Sequence, residues 1–82
     1  MRIIGYIPHP LAKITVFHLN MKYVIKMEMG LYEQTFKIRE SDQMNSFDAV
    51  AALVNEQFIE EAIARFDAMN KSLSDSFKDQ SS

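Results

Sequence analysis

Met21-Lys22-Tyr23-Val24-Ile25-Lys26-Met27-Glu28-Met29 places Met, Tyr, Ile, Met and Met on alternate positions, with Lys, Val, Lys and Glu between them. A period of two is the mark of a half-buried strand. One side of this strand is continuously apolar and the other carries the charges, so it belongs in the middle of a sheet.

The flanking segments pair with it through tight reversals. If Asn20 and Met21 are the central residues of a two-residue hairpin, Leu19 faces Lys22, His18 faces Tyr23, Val16 faces Ile25 and Ile14 faces Met27. The apolar faces then coincide, whereas a three-residue loop mixes them. Asn tolerates the left-handed backbone that such a turn needs. On the other flank, a two-residue Met29-Gly30 loop sets Met27 against Tyr32, Ile25 against Gln34, Tyr23 against Phe36 and Met21 against Ile38. That register brings Lys26 opposite Glu33, and the second strand brings Lys13 opposite Glu28. Each opposite-charge pair contributes about 0.2 to 1 kcal/mol. Lys22 opposite Lys37 is a like-charge pair, unfavourable unless an anion lies between them.

The chain therefore reads as strands at about 2–7, 12–19, 22–28 and 31–39, a four-stranded antiparallel meander. Pro8 ends the first strand, in which Ile3, Gly5 and Ile7 share one side and Ile4 and Tyr6 the other. Pro8 and Pro10 around His9 make a stiff turn. After a polar connection at 40–45, Ser46 is the expected N-cap of a helix, with Asp48 in its first turn. Phe47, Ala51, Val54, Phe58, Ala62, Phe66, Met69, Leu73 and Phe77 recur every three or four residues, and Leu53, Ile59 and Ile63 widen the stripe. One helix over about 47–72 or longer follows, fraying where serines thicken, with Glu61–Arg65 and Asp67–Lys71 as pairs four apart. Residues 1–78 form a single β-β-β-β-α domain of the α+β class, with 79–82 as a disordered tail.

At 82 residues the core is marginal, because a chain this short hides only about 60% of the surface its unfolded form exposes. There is no cysteine to staple it, which leaves oligomerisation as the expected support. A helix of this length, about 39 Å, overhangs a four-stranded sheet only about 15 to 20 Å wide. Met69, Leu73 and Phe77 would then lie in water unless a second copy covers them. The outer sheet face carries a similar surplus in Ile4, Tyr6, Phe17, Leu19 and Val24. The expectation is a homodimer.

Chemistry is scarce. Two glycines make no phosphate loop, and neither His9 nor His18 has the spacing of a zinc site or a nucleophile–base pair. Glu56 and Glu60 are one turn apart on a charged helix face, and the six Met residues read as core filler. No catalytic residue, metal ligand or cofactor is expected. Without a secretory signal or an apolar run of about 18 residues, the chain reads as a cytoplasmic protein with no membrane partner.

Net charge of −2 hides a division: residues 1–40 carry +3 and residues 41–82 carry −5. Two functions fit. The first is a non-enzymatic module that binds another protein through its surplus apolar surface. The alternative is single-stranded nucleic acid on the outer sheet face, where Lys13, Lys22, Lys26, Lys37 and Arg39 are interleaved with Tyr6 and Phe17. Lysines would follow phosphates while bases stack on the rings.

The stretch Ile4-Gly5-Tyr6-Ile7-Pro8-His9-Pro10, followed by Lys13-Ile14-Thr15 and Glu33-Gln34-Thr35, resembles small bacterial proteins to which no activity attaches. The order of elements is also similar to dimeric single-strand-binding domains of the positive-cofactor and PUR types. That likeness is one of element order and implies a nucleic-acid surface by analogy alone.

Overall fold

Asn20 and Met21 both adopt positive φ, 47° and 63°, the requirement of a two-residue type I′ hairpin. The computed structural model describes residues 1–81. In it the reversal joins β2 (Lys13–Leu19) to β3 (Lys22–Met29) in the expected register, with Ile14 on Met27, Val16 on Ile25 and His18 on Tyr23. With β1 (Arg2–Ile7) and β4 (Tyr32–Arg39) the strands form one antiparallel sheet in the order β1-β2-β3-β4. Two helices follow, α1 (Phe47–Leu53) and α2 (Glu56–Ser81), so the fold is α+β.

Met21 sits in the turn at 69% exposure and is not core filler. A side chain in the left-handed region costs about 1 to 2 kcal/mol, and glycine's extra freedom in the unfolded chain offsets about 0.5 to 1 of any relief. Met21→Gly is therefore expected to stabilise the fold by about 0.5 to 1 kcal/mol, read as a higher urea midpoint.

The β3–β4 register differs from expectation by two residues. The turn is Gly30-Leu31, with Gly30 at φ 62° in the first central position, where a type II′ hairpin takes glycine. Met29 therefore faces Tyr32, Met27 faces Gln34, Ile25 faces Phe36 and Tyr23 faces Ile38. A slip of two preserves the faces but changes the neighbours. Lys22 is opposite Arg39, Lys37 is opposite Val24, and Glu28 faces Glu33. Lys26 still reaches Glu33, diagonally, at 3.5 Å.

A bulge in β1 makes a second correction. Ile3 pairs with Phe17 while Gly5 pairs with Val16, so the register shifts across Ile4. Ile3 consequently lies on the outer face at 49% exposure, and Ile4 packs against the core, the reverse of strict alternation. Beyond the bulge, Tyr6 faces out and Ile7 pairs with Ile14.

Ser46 caps α1 as expected, its Oγ accepting from the Ala49 amide at 3.2 Å. The single helix does not follow. Val54 leaves helical geometry (φ −84°, ψ 68°), and Asn55 Oδ1 accepts from the Phe58 amide at 2.9 Å, starting α2 afresh. The break lets α1 lie over β1 and α2 along β4. Gly5 is needed there, since a Cβ at that position would come within 2.7 Å of Cδ1 of the Phe47 ring.

The inner face is closed by Val50, Val54, Ile59, Ala62 and Phe66 packed over Ala12, Ile14, Val16, Tyr23, Ile25 and Met27. Against β4 the contacts are more specific. Gln34 Nε2 donates to the Ala62 carbonyl at 2.8 Å, Arg65 Nε donates to Gln34 Oε1 at 2.9 Å, and Phe58 meets Phe36 edge-on. Arg65 lies over Phe36 instead of pairing with Glu61, and Lys71 pairs with Asp75 instead of Asp67.

Past residue 72, where fraying was expected, α2 continues to Ser81. It thus takes up 79–81 of the segment expected to be disordered, while Ser82 lies outside the described residues. No Gly or Pro interrupts that stretch, the Lys71–Asp75 pair bridges one turn, and Lys78 suits the C-terminal end of the helix dipole.

Candidate interaction surfaces

Residues directly opposite across a ladder share a face, so the registers assemble the outer surface row by row. One row is Ile3, Phe17, Val24 and Lys37; the next is Tyr6, Thr15, Lys26 and Thr35. Leu19, Lys22 and Arg39 form a third row at one end, and Lys13, Glu28 and Glu33 a fourth at the other. All seven candidates, Tyr6, Lys13, Phe17, Lys22, Lys26, Lys37 and Arg39, therefore occupy one face. Sequence alternation missed Ile3, because a bulge has no residue signature of its own.

The face is not uniformly open. Thr15 and Val24 are buried by the longer side chains around them, and Phe17 is half-buried. Ile3, Tyr6 and Leu19 are the exposed apolar groups. Lys22, Lys37, Leu19, Asn20 and Val24 line a shallow recess at the hairpin end. Lys22, Lys37 and Arg39 have no ion-pair partner among the described residues. They make one corner of the face cationic, while at the opposite end Glu28 and Glu33 offset Lys13 and Lys26.

On the inner edge of that corner, His18 stacks at a tilt on Tyr23, ring centroids 4.9 Å apart, and its Nε2 lies 2.8 Å from Glu40 Oε1. His18 is thus packed against a ring and hydrogen-bonded. Desolvation, and after it the charge and hydrogen bonding of Glu40, push the Tyr23 hydroxyl above its ordinary pKa. His9 accepts the Leu11 amide at Nδ1, 3.1 Å, which fixes the turn between the prolines. Among the described residues no group of three His, Cys, Asp or Glu side chains is placed to hold a metal ion. No helix among them is long and apolar enough to cross a membrane.

The second surface is the far end of α2. The Tyr32 hydroxyl donates to Asn70 Oδ1 at 3.0 Å, and Phe66 is closed over by the β3–β4 hairpin at 1% exposure. Beyond that point the helix runs past the sheet. Exposure climbs from 37% at Met69 to 48% at Leu73 and 66% at Phe77. Leu31, at the hairpin tip beside this overhang, is fully exposed. It escaped the sequence reading because the misplaced turn put it inside the strand.

The overhang shows in the shape of the molecule. The chain extends 53 × 25 × 17 Å with a radius of gyration of 15.1 Å, against about 12 Å for a compact chain of this length. Its accessible surface is 5968 Å², whereas a monomer of 9.5 kDa exposes about 5,000 Å². The excess of about 900 Å² matches the roughly 800 Å² that each partner buries in a standard-size interface. No family model matches the chain, and no curated protein or solved structure shows significant similarity to it.

Proposed function

We propose that this chain is a non-catalytic interaction module that works as a homodimer and holds another protein on the outer face of its sheet. The observation that carries the reading is the excess accessible surface, which corresponds to one side of an ordinary interface, beside the rising exposure of Met69, Leu73 and Phe77 where α2 leaves the sheet. With both helices on the inner face, the outer face keeps Ile3, Tyr6 and Leu19 in water beside the cations. Arg and Tyr beside aliphatic groups make an anchor set of the kind protein interfaces use.

A second reading has its own support. Lys22 directly opposite Arg39, with Lys37 alongside, is a cluster of like charges that a polyanion would relieve, and the similarity in element order to dimeric single-strand-binding domains points the same way. Against it stand Glu28 and Glu33 on the same face, and a stacking platform of only Tyr6 and the half-buried Phe17.

One comparison separates the two. Nuclease-treated lysate is passed over the wild-type chain and over the outer-face variant Ile3→Asp/Leu19→Asp, each checked for folding by circular dichroism. A protein retained by the wild type and lost from the variant is the expected result. Single-stranded oligonucleotide binding at 50 mM salt that collapses as salt rises, with no such protein, would favour the nucleic-acid reading instead.

A further inference from the structure

The charges on the α2 overhang are arranged to leave one side clear. At about 100° per residue, Asp67, Lys71, Asp75, Lys78 and Asp79 all lie about 120° or more round the helix from Leu73. The side facing Leu73 carries Met69, Asn70, Phe77 and Gln80, flanked by Ser72, Ser74 and Ser76. Charge is thus depleted from one face and the flanks are small, the composition of an interface core with room for close helix approach. Positions 59, 63, 66, 70, 73, 77 and 80 also repeat at alternating steps of four and three. That is a coiled-coil seam which the sheet covers in its first half and leaves exposed in its second.

We infer that the occupant of this seam is the same segment of a second copy, running antiparallel, with the two-fold axis beside residue 75. The inference rests on the homodimer proposed above and supplies its geometry. Two observations fix the axis. Phe66 is already sealed by its own hairpin and Asn70 is tied to Tyr32, so a second copy can reach only from about residue 70 to Ser81, whose midpoint lies at 75 to 76. Within that window, an axis at 75 sets Leu73 against Phe77 of the second copy, and Phe77 against its Leu73, the layer pairing that an antiparallel seam requires.

The next layer sets Asn70 against Gln80 of the second copy. Asn70 Oδ1 accepts from the Tyr32 hydroxyl, leaving its amide hydrogens to donate to the glutamine oxygen. An axis at residue 73 instead would drive Gln80 into Phe66, where the hairpin already sits. With the axis at 75, the last turn of each helix ends against the Gly30–Leu31 tip of the other copy and covers Leu31. Each copy gives and receives the same contact, so the assembly closes at two.

The chain has no native cysteine, so Leu73→Cys and Phe77→Cys each carry one thiol. The two variants, one lengthened by an affinity tag, are mixed, allowed to exchange and oxidised. Residue 73 of one copy and 77 of the other fall within disulfide reach, whereas like residues are offset by about 6 Å along the axis; mixed covalent dimer is therefore expected at least about tenfold above either variant alone. Predominant self-linking of Leu73→Cys would move the axis to 73 and overturn the register. Sedimentation of the reduced mixture separates the two levels of the claim. A dimer without mixed cross-link sinks this arrangement but not the homodimer, and a monomer sinks both.

Discussion

Leu73→Asp is expected to turn a dimer into a monomer while leaving the fold intact. Leu73 is 48% exposed in one chain, so only about half its side chain remains for a second copy to bury, contributing about 1 kcal/mol per copy. The larger effect is the carboxylate. Placed against Phe77 of the other copy, with no cation on that side of the helix to pair it, it costs about 1 to 3 kcal/mol more per copy. Two copies together lose about 4 to 8 kcal/mol, a weakening of several hundredfold or more. Circular dichroism should be unchanged, because Leu73 lies beyond the last sheet contact. Lys71→Gln, two residues away but on the opposite side of the helix, should dimerise like the wild type.

Phe66→Ala acts on the other half of the same helix and is expected to cost about 3 to 5 kcal/mol of folding stability. Its ring is 1% exposed and fills the core where α2 crosses the β3–β4 hairpin. An 82-residue domain has about 4 to 12 kcal/mol in hand, so the loss takes from about a quarter to the whole of it. Because a dimer's stability depends on protomer concentration, urea unfolding of the variant and the wild type must be compared at one concentration. A fall in midpoint of less than about 1 kcal/mol equivalent would mean that α2 is held by something other than this side chain.

Asn20 announced the β2–β3 turn because few residues accept positive φ, and the register followed from matching apolar faces. The same logic could not place the β3–β4 turn. Met29-Gly30 and Gly30-Leu31 differ by two residues in register, and period two cannot see a slip of two. The Lys26–Glu33 pairing that followed from the Met29-Gly30 turn did not expose the slip, and the two side chains do meet diagonally at 3.5 Å. What decided it was glycine's place in the turn, first and not second.

The helix break at Asn55 carried a legible capping residue, yet the spacing of Ala51, Val54 and Phe58 ran straight across it. Val50, fully buried, went unnoticed for the same reason. The candidate face fared better, since alternation alone put all seven of its residues on one side. Only Ile3, moved there by the bulge, needed coordinates; so, on the inner face, did the Gln34–Arg65 link between residues 31 apart in sequence.

The dimer stands or falls on whether the exposed half of α2 is covered by its own kind. Sedimentation equilibrium of the wild-type chain at micromolar concentration tests this most directly. A mass of twice 9.5 kDa is the result it requires, and a single species of 9.5 kDa across that range would contradict it.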